Sequence, residues 1–289
     1  YEFVAIQNMQ RKQFLLFIWF IVPVICSGQL GIDDGISATE AVTDVLIGGG
    51  VTIDNIQHSG DNNQLGYFNS LFSNIGLDSG IVLSTGSVLG AIWPNNTSSL
   101  TSSGGNIGAS DPDLEILSGS ETNDASVLEF DFIPAGDSVV FRYVFASEEY
   151  NEYVCSDFND TFGFFLSGPG ISGPYSNQAI NIALVPNSEI QVSINSINNG
   201  EIGVFGSEEF CDNVDPNWQN NTQYFVNNEP ALDDNSTQYD GLTAILTATA
   251  HVDCGETYHI KIAIADAVDD LLDSAVFLEA SSLESQGYH

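Results

Sequence analysis

The sequence predicts an all-β protein: an antiparallel β-sandwich, jelly-roll-like, with one or two short helices. Three observations lead there. Segments of period-two alternation recur along almost the whole chain, clusters of Gly, Asn, Asp and Ser separate them, and no long run with helical spacing competes.

Taken in order, a short helix is expected at 38–47 and a strand at 51–56, then a second short helix around 67–74 and a strand at 80–84. The stretch 95–113 is rich in Asn, Ser, Thr and Gly and reads as a loop over one end of the sandwich. Strands follow at 127–133, 138–145, 161–166, 180–184 and 189–194. A second polar stretch, 210–240, carries scattered aromatics, and strands at 243–250, 257–265 and 274–279 complete the pattern. The cleanest alternation is Tyr258, Ile260, Ile262, Ile264.

Parity suggests one hairpin. Leu128, Phe130 and Phe132 share a face of the first strand, and Val139, Phe141 and Tyr143 a face of the next. A turn at Pro134–Asp137 would oppose Phe130 to Phe141, Leu128 to Tyr143 and Glu129 to Arg142. Arg142 is then expected in a cross-strand ion pair rather than as a substrate clamp.

Met9 is the only methionine, and Arg11, Lys12 and the apolar run 14–25 follow it. This reads as upstream residues plus a secretory signal segment over 1–28, too short for a preferred membrane anchor. Residues 29–289 are expected to form a single β-sandwich domain that is secreted or held at the cell surface, and not an integral membrane protein after cleavage. Beyond residue 28 only Arg142 and Lys261 remain of four basic residues, against 38 of 39 acids, a formal charge near −36. Nucleic acid and anionic membranes are excluded as partners by that charge.

Carboxylates gather at strand ends. Glu148, Glu149, Asp157 and Asp160 surround Cys155, and Asp266, Asp269, Asp270 and Asp273 fill one eight-residue loop. With no cation among them they repel one another, and all-oxygen ligands favour Ca²⁺. The expected structural calcium ligands are Glu148, Glu149, Asp157, Asp160, Asp266, Asp270 and Asp273. The spacing is not that of an EF-hand.

The segment Val204–Phe210 nearly repeats Val144–Tyr150, and a cysteine follows each copy. Cys155, Cys211 and Cys254 lie beyond the signal, and this symmetry favours Cys155–Cys211 as the disulfide, with one thiol left over. Catalytic patterns are weak: no Gly-x-Ser-x-Gly or His-Glu-x-x-His occurs, and His58, His251 and His259 have no evident nucleophile partner. No enzymatic activity is expected.

The block Phe141–Gly170, FRYVFASEEYNEYVCSDFNDTFGFFLSGPG, resembles the choice-of-anchor L domain of bacterial exported surface proteins. So do Gly76–Gly86 (GLDSGIVLSTG), Tyr239–Thr243, Tyr258–Asp266 and Asp273–Ala280, and the likeness runs over residues 41–282. The resemblance implies a cell-surface or secreted module with no assigned enzymatic activity and no transferable ligand. The sequence stops at His289 just after the domain, so truncation or release is expected in place of an anchor.

Together these readings give a non-catalytic, calcium-stabilised module for adhesion or recognition at a bacterial surface. Its partner is an unknown surface ligand, glycan or protein. One alternative is a carbohydrate-binding or carbohydrate-active protein using Trp93, Trp218 or Tyr224 as a sugar platform. Another is a self-associating subunit of a surface filament or matrix.

Overall fold

The computed structural model describes residues 30–70, 73–92, 94–100, 109–229 and 237–287. The expected leader over 1–28 lies outside the described residues. Fourteen strands appear in chain order: β1 (Gly31–Asp33), β2 (Val51–Ser59), β3 (Leu65–Asn69), β4 (Ser79–Ser84), β5 (Thr122–Pro134), β6 (Ser138–Ser147) and β7 (Thr161–Ser167) come first. Then follow β8 (Ile180–Asn181), β9 (Phe225–Asn227), β10 (Gly241–Thr243), β11 (Leu246–His251), β12 (Tyr258–Ala267), β13 (Ser274–Glu279) and β14 (Glu284–Gln286).

They form two antiparallel sheets. The larger runs β1-β3-β4-β13-β6-β10-β9, with β11 and β14 also pairing with β6, and the smaller runs β2-β5-β12-β7-β8. The all-β sandwich expected from the sequence is the observed architecture.

Alternation explains how the layers meet. Leu128, Phe130 and Phe132 of β5, Phe162, Phe164 and Leu166 of β7 and Ile260, Ile262 and Ile264 of β12 are all buried on one face of the smaller sheet. Opposite them lie Val139, Phe141, Tyr143 and Phe145 of β6 with Val276 and Leu278 of β13. Aromatic pairs cross between the sheets: Phe141 with Phe164 at 5.9 Å, Tyr143 with Phe164 at 4.9 Å, and Phe145 stacked on Phe162 at 4.9 Å. Each outer face also carries apolar cover. Phe68, Val82, Val144 and Phe277 form a second cluster. Helix α2 (Pro112–Ser118) lays Leu114 and Leu117 over Val127, Phe165 and Ala263.

The expected hairpin does not exist. β5 pairs with β12 and β2, whereas β6 pairs with β10, β11, β13 and β14, so the two strands lie in opposite sheets. Parity correctly found the inward faces, but both face the same core across the sandwich. The connection's hydrogen bonds go elsewhere: Ala135 N–H donates to Gly50, Asp137 N–H to Gln286, and Val252 N–H donates back to Asp137. Arg142 therefore pairs with Glu279 and not Glu129.

Other boundaries moved. Of the helix expected at 67–74, residues 67–69 belong instead to β3, which pairs along its length with β4, and residues 71–72 lie outside the described residues. The strand expected at 189–194 makes only isolated bridges, Leu184 to Gln191 and Thr161 to Ser193. The segment 243–250 breaks into β10 and β11 where Ala244 N–H turns to the Tyr224 carbonyl. The helix at 38–47 is present, as α1 (Ala38–Glu40) running into a π-helical turn, Ala41–Leu46. Ser37 and Glu40 close it with a capping box. Helix α2 was not expected, although Asp111-Pro112 at its start and Gly119 at its end are ordinary stop and start signals.

Candidate cation site at the acidic end

One end of the sandwich collects strand termini from both sheets. In the larger sheet Ser147 at the end of β6 faces Ser274 at the start of β13 and Gly241 at the start of β10. In the smaller sheet Ala265 near the end of β12 faces Thr161 at the start of β7, and Ala267 faces Thr122 at the start of β5. Carboxylates next to these termini thus converge from distant parts of the sequence.

Asp160 joins the two layers. It accepts a hydrogen bond from the Ala267 N–H on the β12 side at 3.1 Å and from the Ser274 hydroxyl on the β13 side at 2.6 Å. Glu148 follows β6 directly, and its N–H donates to the Asp273 carbonyl at 3.1 Å. The Glu149 N–H donates to the Ser147 hydroxyl at 2.9 Å.

Of the seven expected ligands, Glu148, Glu149, Asp160, Asp266 and Asp273 are buried here, while Asp157 and Asp270 are exposed at the rim. Two buried members escaped the sequence reading, Asp124 and Asp240. Asp124 lies inside β5, which begins five residues before the expected strand. Asp240 directly precedes β10, the same strand-end position that singled out the others.

Many of their oxygens lack partners. Both carboxylate oxygens of Glu148 and of Asp266, one of Glu149 (Oε2), one of Asp124 (Oδ1) and one of Asp240 (Oδ2) are buried with no well-formed hydrogen bond among the described residues. The other oxygen of Asp240 accepts from the Asn95 amide at 2.6 Å.

Burial, reinforced by neighbouring charge, sets the electrostatics. Burial first and Asp240 second push Glu148 up to about 9 from 4.5. Leu100 and Gln238 oppose that shift from positions too loose to satisfy either oxygen. Burial raises Glu149, with Asp160, Asp269 and Glu152 adding to it. Asp160 is raised by burial against the pull of its two hydrogen bonds, and Asp266 is raised well above normal by burial and then Asp160. For Asp266 the Thr85 hydroxyl acts in the other direction without making a well-formed bond. Burial takes Asp240 to about 7 and Asp124 to about 6.

No cation among the described residues offsets this charge. Lys261 holds Asp111 at 2.8 Å and Asp113, and Arg142 holds Glu279. Among the described residues no group of three or more His, Cys, Asp or Glu side chains is placed to hold one metal ion as it stands. An ion here would need backbone carbonyls, water or small side-chain shifts to complete its shell.

The Cys155–Cys211 disulfide expected from the sequence is present, with 4.8 Å between Cα atoms. The symmetry that suggested it holds only in part. Residues 208–214 form helix α3 (Glu208–Val214), not a strand end, and Glu208 and Glu209 are exposed. Among the described residues Cys254 is the free thiol.

Contrary to expectation, His58 does have a hydroxyl partner, Ser126 at 3.1 Å. Ser126 is fully buried, however, which keeps substrate from that oxygen. Trp218 is buried in the core, which removes it as a sugar platform; Tyr224 is half-buried against that core, and Trp93 lies outside the described residues.

An all-β sandwich with an anionic end, and no helix among the described residues long and apolar enough to cross a membrane, defines the class: an antiparallel β module. The family model of the choice-of-anchor L domain matches residues 31–284, and the chain belongs to that family. Membership implies a bacterial cell-surface module. No curated protein and no solved structure matches the chain.

Proposed function

We propose that the chain is a non-catalytic, calcium-stabilised module for adhesion or recognition at the bacterial surface. The observation that carries the calcium part is the set of buried carboxylate oxygens at the acidic end that make no well-formed hydrogen bond and have no ion-pair partner among the described residues. Glu148, Glu149, Asp160, Asp266 and Asp273 are the inner ligands in this reading, with Asp124 and Asp240 beside them and Asp157 and Asp270 at the rim.

An all-oxygen anionic donor set suits a hard divalent cation whose shell is completed flexibly. Both sheets contribute residues, so a bound ion would tie the layers together where the strands end. The test is calorimetric titration of calcium into chelator-treated protein at pH 7.5, with melting followed in parallel. Saturable binding with a raised melting temperature is expected. No heat and no shift would remove calcium from the reading and leave a cell-surface module of unassigned ligand.

A further inference from the structure

The buried carboxylates of the acidic end fall into two groups on different faces of the larger sheet. In that sheet Gly241 of β10 and Ser274 of β13 both face Ser147 of β6, so one residue further out Asp240 and Asp273 flank Glu148. The hydrogen bond from the Glu148 N–H to the Asp273 carbonyl carries the β6–β13 ladder to that position. Alternation places this row in step with Val144, Ala146, Leu242, Ala275 and Phe277, the apolar cluster on the sheet's outer face.

In the smaller sheet Ala265 faces Thr161, so the next pair outward is Asp266 with Asp160. Both are in step with residues that point between the sheets, Ile264 and Phe162. Asp160 also accepts from the Ser274 hydroxyl, which is in step with the inward Val276 and Leu278 of β13. Glu149, just past β6, belongs with this inner group: after burial, Asp160 is the charge that raises it most, as it is for Asp266. For Glu148 that charge is Asp240. Asp273 acts on both Glu148 and Asp266, so the two groups sense one another.

Each group has buried oxygens left over. In the outer row, both oxygens of Glu148 and Oδ2 of Asp240 make no well-formed hydrogen bond among the described residues; in the inner group, both oxygens of Asp266 and Oε2 of Glu149 make none. These four residues are all 2 % exposed or less. The strap that carries Asp240 is tied down from its other side. The Thr237 hydroxyl and the Gln238 N–H both donate to the Ala91 carbonyl, at 2.8 Å and 3.0 Å, and the Asn95 amide holds Oδ1 of Asp240.

We propose that the acidic end binds two calcium ions, one between the sheets at Asp160, Asp266 and Glu149, and a second on the outer face at Asp240, Glu148 and Asp273. Neighbouring strands lie about 4.7–4.9 Å apart, so adjacent carboxylates of one row can straddle an ion at about 2.3–2.6 Å to each oxygen. The backbone of β6 lies between the two groups, which keeps one ion from serving both. The inner ion would tie sheet to sheet, and the outer one would clamp the 237–240 strap to β6 and β13. This proposal rests on the calcium reading above and adds a second ion and its place.

The experiment is equilibrium dialysis of the chelator-treated full chain against calcium, in salt that screens the diffuse surface charge, with bound metal counted by elemental analysis. Two ions per chain are expected. Asp240→Asn keeps an acceptor for the Asn95 amide and should lose one ion; Asp266→Asn should lose one, and the double variant both. Glu208→Gln, at an exposed acid on α3, should lose none. Circular dichroism checks that each variant folds, and Glu148→Gln takes the place of Asp240→Asn if that one does not. One ion in the unaltered chain, or loss of every ion in either single variant, means a single shared site and overturns the proposal while calcium stands. Two ions that both survive Asp240→Asn overturn the outer site. No bound calcium and no change in melting overturn the calcium reading itself, and this proposal with it.

Discussion

Removing calcium at neutral pH should destabilise the protein, and the size of that effect should depend on pH in a defined direction. Glu148, 1 % exposed, is raised from 4.5 to about 9 in the fold. Between those values the folded state keeps a proton that the unfolded chain has released, so stability falls as pH rises across the window and is unaffected below it. At pH 7.5 the gap of three pH units from 4.5 corresponds to about 4 kcal/mol for this one group. A domain's whole stability is about 5–15 kcal/mol, so the neighbouring raised carboxylates cannot all add a similar cost. A module-type site with affinity of about 10⁻⁴–10⁻³ M returns about 1.5–3 kcal/mol at about 10 mM calcium. For a chain of this size that amounts to about 3–10 °C in melting temperature. Differential scanning calorimetry in chelator and in calcium, at pH 4.5 and 7.5, checks it. Chelated protein should melt lower at pH 7.5 than at pH 4.5, and calcium should matter only at pH 7.5, where competing protons have left. A melting temperature that is flat with pH in chelator and blind to calcium would refute the electrostatic reasoning.

Asp160→Asn keeps an acceptor for the Ala267 N–H and removes a buried charge, so in chelator it should raise the melting temperature at pH 7.5 and not at pH 4.5, while Asp160→Ala should lower it at both. Reducing Cys155–Cys211 frees a link across 56 residues and should cost about 4 kcal/mol, read from denaturant midpoints with and without reductant. Phe141→Ala removes a ring that touches Phe164 across the sheets and should cost about 3–5 kcal/mol in the same assay. A double-mutant cycle should find about 0.2–1 kcal/mol of coupling between Arg142 and Glu279 and none between Arg142 and Glu129; the reverse result would restore the hairpin.

Sheet membership was the part of the fold that the sequence could not supply. Alternation reports which side of a strand is buried, and it did so correctly for β5 and β6. It cannot report which neighbour completes the ladder, because a hairpin and a crossing between layers bury the same faces. β3 escapes for a related reason: Gly66-Tyr67-Phe68 is too short to display a period, and pairing with β1 and β4 makes it a strand. The acidic end was legible as density at strand ends. Buried Asp124 falls outside the strand expected at 127–133, and sequence proximity does not tell that Asp157 and Asp270 sit at the exposed rim while the other five are buried.

Protons alone are a poor answer to this end of the molecule. A neutral carboxyl group removes the charge but brings an O–H donor, which then needs an acceptor of its own. Glu148 and Asp266 have no partner on either oxygen, so protonation exchanges the cost of a buried anion for that of an unsatisfied polar group, about 1–3 kcal/mol each. Asp160 differs in degree, since donors from β12 and β13 reach both of its oxygens, although burial still raises it. The end therefore holds one carboxylate that hydrogen bonds bridge to both sheets, and others, Glu148 and Asp266 among them, with oxygens left over. On the calcium reading proposed above, a bound cation would supply what those leftover oxygens lack.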